Sequence, residues 1–336
     1  MLVDNIYKLR NATNSYILKN NYKITENLLK YIHERIVANK NEIEKLVEIK
    51  GEKYTYEEIE KEIKKEIEEE IKYKNYKRIY INKDKFISTS LLMPIGVIAV
   101  EAFDTIEVIK YFIDAIKSRN GIAISDVEYD EESVKFLFLE IFKEALKKFE
   151  IDSNLIMILP YEECFYKYFD KVIYTYDNTG KKLLEKKYYS KKESEKIFIY
   201  IDDKKLEEIA KEDNTDGEML YGNIEEAIKK INETYSKGAI IYTNDSEKAY
   251  KFINLVHSKN VMVNTSLQNI EDTKKSPNEM YEYKNIILPI PREDITSIKE
   301  EFEQPKGYKK NELSLVEVNE SVFEKIKRFF KTLFWK

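Results

Sequence analysis

Leu92-Met-Pro-Ile-Gly-Val-Ile-Ala-Val100, the helical stretch Thr105–Ser118 and Asn120-Gly-Ile-Ala-Ile124 decide the fold. Gly96–Val100 and Asn120–Ile124 are short apolar runs of strand composition, and the segment between them repeats apolar residues at helical spacing, so the three read as a βαβ unit. The alternation continues with a helix over Glu131–Phe149, a strand at Leu155–Leu159, a helical stretch around Tyr161–Phe169, and strands at Val172–Tyr176 and Ile197–Ile201. Strands apolar on both faces belong to a parallel sheet covered by helices on both sides.

The same grammar recurs on a smaller scale downstream. A helix is predicted at Ile224–Glu233, a strand at Ala239–Tyr242, a helix at Ser246–His257 and a strand at Val261–Asn264. Beyond Gln268 the composition turns polar. Ile286–Ile290 is an isolated strand candidate, and Pro289 within it and Pro291 after it predict an edge position, because proline cannot donate to a ladder. Arg292–Asn311 reads as an irregular linker. Upstream, residues 22–82 read as helices. Ile24, Leu28, Leu29, Ile32, Ile36 and Val37 form one apolar face, followed by Ile43, Leu46 and Val47. Ile59, Ile63, Ile67 and Ile71 lie four apart, which on a helix spreads them over roughly 120°, one buried stripe. The expected architecture is an α/β protein with a doubly wound, mostly parallel sheet. The domains read as N-terminal helices (1–82), a doubly wound domain (83–202) and a smaller second lobe (203–268), which the resemblance described below makes a Rossmann-like cofactor-type domain and a truncated catalytic-type lobe, then an edge strand and linker (269–320) and an amphipathic C-terminal helix (321–336).

Composition narrows the function. The 336 residues carry a net charge of −5, which argues against a nucleic-acid partner. One cysteine and two histidines exclude a disulfide scaffold and make a poor basis for a His/Cys zinc site. The first residues lack an apolar signal region and no stretch reaches the roughly 20 apolar residues of a spanning helix, so a soluble protein of a reducing cytoplasm is expected. The 26 tyrosines are read as a consequence of skewed base composition and carry no function.

The order of these segments resembles the aldehyde dehydrogenase superfamily, and within it gamma-glutamyl phosphate reductases. Leu92–Val100 and Ala115–Ile124 resemble the first strand, helix and second strand of that family's cofactor domain. Phe169–Ile173, Lys196–Asp202, Ile224–Asn232 with Ala239–Thr243, and Val256–Ser266 keep the family order, over roughly residues 25–290. The resemblance implies attack by a cysteine thiolate on an acyl or aldehyde carbon, with hydride passing to or from a nicotinamide. It also implies a cysteine loop several dozen residues beyond the segment matching Ile197–Asp202. Here only Asp203–Asn223 intervenes before the next helix, without a cysteine. The nucleophile loop reads as deleted, and the chain as a catalytically inactive relative acting through self-assembly or a protein partner, for example through Ile286–Ile290. The alternative is an NAD(P)-dependent oxidoreductase acting on an aldehyde or acyl phosphate.

The remaining candidates are few. Cys164, the sole thiol, is flanked by Glu162 and Glu163, which raise a thiol's pKa, and it reads as a packing residue before a nucleophile. His257 ends a predicted helix and His33 sits beside an apolar helical face; both read as structural. Where the reductases place Arg-Gly-Gly after the second strand, this chain has Ser125-Asp-Val-Glu128, and where they place a glycine pair it has Tyr176-Asp-Asn-Thr-Gly180. Carboxylates beside a phosphate cost on the order of 1–4 kcal/mol per close pair, which argues against NADP. No cofactor is expected; if NAD binds, Asp126 and Glu128 are the candidates to hold its ribose hydroxyls, and otherwise they form a solvated turn. Finally, residues 321–336 carry Phe323, Ile326, Phe329, Phe330, Leu333 and Phe334 at helical spacing among Lys325, Lys327, Arg328, Lys331 and Lys336. Such a segment suits a membrane interface, a partner's groove, or packing on its own core or a second subunit.

Overall fold

The computed structural model describes residues 2–19, 22–69, 77–82, 86–102, 104–126, 129–160, 168–176, 182–190, 193–212, 216–265 and 280–289. The helices are α1 (Leu2–Lys19), α2 (Tyr22–Ala38), α3 (Lys40–Lys50), α4 (Tyr56–Glu68), α5 (Thr105–Ser118), α6 (Val134–Lys148), α7 (Glu207–Glu212), α8 (Ile224–Glu233) and α9 (Ser246–Leu255). The strands are β1 (Lys77–Asn82), β2 (Phe86–Pro94), β3 (Val97–Glu101), β4 (Gly121–Asp126), β5 (Ile156–Pro160), β6 (Lys171–Tyr176), β7 (Lys182–Ser190), β8 (Glu193–Ile201), β9 (Glu218–Tyr221), β10 (Tyr235–Tyr242), β11 (Ser258–Val263) and β12 (Tyr281–Pro289). Two compact units result, one from Met1–Lys72 and Pro94–Lys191, the other from Tyr73–Met93 and Lys192–Lys336.

The first unit is a five-stranded sheet in the order β5-β4-β3-β6-β7. β3 to β6 are parallel and β7 returns antiparallel to β6. Val97, Ala99, Ala123, Met157, Leu159 and Val172 line one face and pack on Ile6 and Leu9 of α1. Ile98, Val100, Ile122, Ile124 and Ile156 line the other, where α5 and α6 cross with α2 against them. Helices thus cover both faces, which is why these strands need no polar residues until their ends. α1 lies close to the sheet: a Cβ on Gly121 would stand 2.9 Å from Leu9 Cδ1 and closer still to Thr13 Oγ1, so only glycine fits there. Arg10 clips α1 down, giving Nη1 and Nη2 to Asp170 at 2.8 and 3.3 Å. The same Asp170 accepts the Val97 N–H at 2.9 Å, joining the starts of β3 and β6. In the outer layer Ile59 and Ile63 are fully buried, and His33 Nε2 lies 2.7 Å from Glu60 Oε1, tying α2 to α4.

The second unit is a seven-stranded sheet in the order β1-β2-β12-β11-β10-β8-β9. The run β9-β8-β10-β11-β12 is parallel, and β1-β2 is an antiparallel hairpin. Ile199, Ile201, Ile240, Tyr242, Met262 and Ile287 make a core with Leu206 and Ala210, while α8 and α9 pack on β10 and β11. Lys284, 1% exposed, donates from Nζ to the carbonyls of Ile253 and Val256 at 2.9 and 2.7 Å, so a buried ammonium caps the C-terminus of α9.

The mostly parallel α/β architecture expected from the sequence is present, with α5 and α8 at the predicted bounds. Four readings change. Residues 77–82 are a strand, not the end of a helical region. Ile197–Ile201 leads the second sheet instead of closing the first, pairing with β9 and β10. Ile286–Pro289 is no edge: β12 lies between β2 and β11, with Ile286, Ile287 and Leu288 at most 3% exposed. Pro289 is tolerated because it is the last residue of the strand, beyond the pairs Asn260–Asn285, Val261–Ile286 and Met262–Ile287. Val37, counted into the apolar face, is 48% exposed, since it is rotated about 100° from the buried Ile36. The predicted helical stretch from Tyr161, most of it, and the linker and tail from 292 onward lie outside the described residues.

Candidate functional site

In open α/β sheets a ligand site forms beyond the carboxyl ends of the strands, where consecutive connections leave in opposite directions. The first unit has this point between β3 and β6, and the second between β8 and β10.

At the first, β3 ends in Glu101 and the chain turns through Asp104 into α5. A helix N-terminus at this place ordinarily presents free N–H groups to a phosphate. Here Asp104, the N-cap, fills them: its Oδ1 accepts from the N–H groups of Ile106 at 2.9 Å and Glu107 at 3.4 Å. Its Oδ2 accepts from the Tyr54 hydroxyl at 2.7 Å. Thr105 donates to both carboxylate oxygens of Glu52 at 3.0 Å, and Glu107 sits in the first turn. The seat for an anion is therefore taken by the protein's own carboxylates. Glu101 is partly buried, and that burial pushes its carboxyl above the usual carboxylate range. Thr175 on β6 donates to the Glu101 carbonyl at 2.7 Å, fixing the two strand ends together.

Asp126 is the last residue of β4. It is fully buried, and Lys135 of α6 reaches its two oxygens at 3.2 and 3.1 Å, with the lysine side chain 8% exposed. It does not lie in a solvated turn, and its carboxylate is engaged internally instead of facing an open crevice. Glu128 and Cys164 lie outside the described residues. His257 begins the link from α9 to β11, 8% exposed, with its backbone N–H on Asn232 Oδ1 at 2.6 Å, a structural position. Among the described residues no group of three or more His, Cys, Asp and Glu side chains is arranged to hold a metal ion. No helix among them is long and apolar enough to cross a membrane.

At the second point Asp202 follows β8. Its Oδ1 meets Lys248 Nζ at 2.5 Å and its Oδ2 accepts from Thr243 Oγ1 at 2.8 Å. Burial pulls the Asp202 carboxyl upward, but the bonds from Lys248 and Thr243 outweigh it and hold the group below the usual range. The Tyr200 hydroxyl lies 2.8 Å from the Gly222 carbonyl and 3.4 Å from Asp202 Oδ1; burial first, then the Asp202 charge, pushes its pKa up to about 12. Asn264 exchanges two 2.9 Å bonds with the Thr243 backbone. Every polar group of this network finds its partner inside it, so it works as a clamp on three strand ends.

Sequence reasoning missed Glu101, Asp104 and Lys135. A signal existed for the first: in Val-Ile-Ala-Val-Glu101 a lone charge closes an otherwise buried strand. None existed for Lys135, whose role depends on the path between β4 and α6.

No family model and no curated protein matches the chain. Solved structures do. Gamma-glutamyl phosphate reductase from Saccharomyces cerevisiae is similar at 16% identity and a TM-score of 0.46, over 84% of this chain and 96% of that one. The enzyme of that name from Thermotoga maritima is similar at 14% identity and a TM-score of 0.47, over 85% and 98%. A putative aldehyde dehydrogenase from Bacillus subtilis follows at 12% identity and 0.46, over 86% and 90%.

Proposed function

We propose that this chain is an aldehyde-dehydrogenase-like protein without the family's catalytic activity, which acts through interaction or assembly. The observation that carries the reading is the N-terminus of α5. A dinucleotide's pyrophosphate placed there would have to displace Asp104 from two backbone N–H groups and sit beside Glu52 and Glu107. Like charges at contact distances oppose this by about 1–4 kcal/mol per pair at surface dielectrics. The absence of cysteine from Asp203–Asn223, where the resemblance calls for a nucleophile, supports it further. Both flanks of β12 are occupied, so an assembly surface lies elsewhere than on that strand.

Calorimetric titration of the full chain with NAD, NADH and NADPH, with thermal unfolding in parallel, tests the reading. No heat and no shift in the unfolding midpoint is expected. Saturable binding of any of the three would overturn it in favour of an oxidoreductase, and light scattering of the same sample gives the oligomeric state that assembly requires.

A further inference from the structure

The parallel ladder pairs Glu101 with Ser125 on β4 and with Tyr174 on β6. Val97, Ala99 and Ala123 line the face under α1. Because side chains alternate along a strand, Glu101 and Ser125, two residues further on each, stand side by side on that same face, with strands about 5 Å apart. Ser125 is 1% exposed, and its Oγ has no hydrogen-bond partner. The Glu101 carboxylate forms no hydrogen bond or ion pair among the described residues, and burial alone acts on it. A half-buried carboxylate with no cation among the described residues stands on the same sheet face, one strand over, from a buried hydroxyl with no partner, an arrangement that native interiors avoid unless something completes it. The spot lies at the carboxyl end of β3 and β4 beside the crossover to β6, where this class of sheet takes its ligands. The nearest lysine in the chain order of β4 and α6, Lys135, is bound to Asp126.

We infer that Glu101 and Ser125 form a binding subsite for the primary ammonium group of a small ligand. A primary ammonium is a compact cation with three N–H donors. One N–H reaches the Glu101 carboxylate as a charge-assisted bond and a second reaches Ser125 Oγ. An alcohol supplies the donor without the charge, and a quaternary ammonium supplies the charge without a donor. An anion is repelled. The bond from Thr175 to the Glu101 backbone keeps the strand end in place, so little ordering remains for binding to impose. The inference gives the protein a small-molecule ligand, which the interaction reading above does not include.

Saturation-transfer NMR on the full chain, with ethylammonium, tetramethylammonium and ethanol as probes at millimolar concentration, tests it. Saturable binding of ethylammonium alone is expected, weakened at least about tenfold in Glu101→Gln, the scale of one charged hydrogen bond, and less in Ser125→Ala. Both variants are checked for an unchanged circular dichroism spectrum, and Glu101→Gln removes only a charge, so it is expected to fold. No saturable ethylammonium binding by the wild type, an equal response to either control probe, or an unaltered affinity in Glu101→Gln would each overturn the assignment.

Discussion

Replacing Lys135 by methionine keeps the length and packing of the side chain and removes its charge. Asp126, with no exposed surface, would then hold a carboxylate whose two oxygens have lost the ammonium 3.2 and 3.1 Å away. Breaking a buried pair from one side costs about 3–5 kcal/mol, because the surviving charge stays desolvated. At about 2–4 °C per kcal/mol for a unit of this size, the midpoint of the first unit should fall by roughly 6–20 °C. Adding Asp126→Asn in the same chain should restore most of the loss, since a neutral amide has no charge to strand. Hydrogen exchange read by mass spectrometry localises the effect. Protection should fall in peptides covering β4 and α6, while those of β10 and β11 stay as they were. A loss below about 1 kcal/mol, the range of solvent-exposed pairs, would mean that water reaches Asp126 and that the buried pair is misdescribed. So would a double variant less stable than Lys135→Met.

Three further outcomes are expected. Gly121→Ala drives a methyl into Leu9 and Thr13 and should cost about 1–3 kcal/mol in chemical denaturation, with Thr13→Ala recovering part of it. Burial raises the Glu101 carboxyl, so the folded state holds that proton more tightly than the unfolded chain and stability falls as pH rises from about 4.3 through the folded value. Glu101→Gln should therefore stabilise the first unit at pH 7 and leave it unchanged at pH 3; equal effects at both would refute the sign. Asp202 is the reverse case: its lowered pKa contributes stability above about pH 3.9 that is lost as pH falls through the folded value. Asp202→Asn should weaken the second unit at pH 7 and flatten its acid unfolding curve, and an unchanged curve would show that the Lys248 bond contributes nothing.

Much of the first unit was legible because its strands are apolar on both faces and its helices amphipathic. α5 and α8 carry strong helical periodicity and an Asp or Asn before the first turn, so composition marks where they start. β7, Lys-Leu-Leu-Glu-Lys-Lys-Tyr-Tyr-Ser190, did not announce itself: as the outer strand of its sheet it has one hydrogen-bonded neighbour, and its charges suit that position. β9 is four residues long and mostly exposed. β12 was misplaced because two prolines near a strand end read as an edge signal, although the constraint applies only where an N–H is needed. At the site, Ser-Asp-Val-Glu reads as a turn by composition, yet Ser125 and Asp126 are still strand, one facing each side of the sheet. That one-residue alternation separates the unpartnered hydroxyl from the buried ion pair, and only the register with Glu101 shows which is which.

The chain order of the second unit bears on how the protein is made. Its hairpin, β1 and β2, leaves the ribosome before most of the first unit, but the strand that joins it to the sheet, β12, follows about 190 residues later. At bacterial or eukaryotic elongation speeds that interval is on the order of ten to forty seconds. Throughout it, an unpaired ladder edge is open to whatever strand comes near, a neighbouring nascent copy included. Chaperone dependence during translation, and swapped dimers when expression is fast, are the outcomes expected of a chain order that places most of one unit's sequence between two strands of the other.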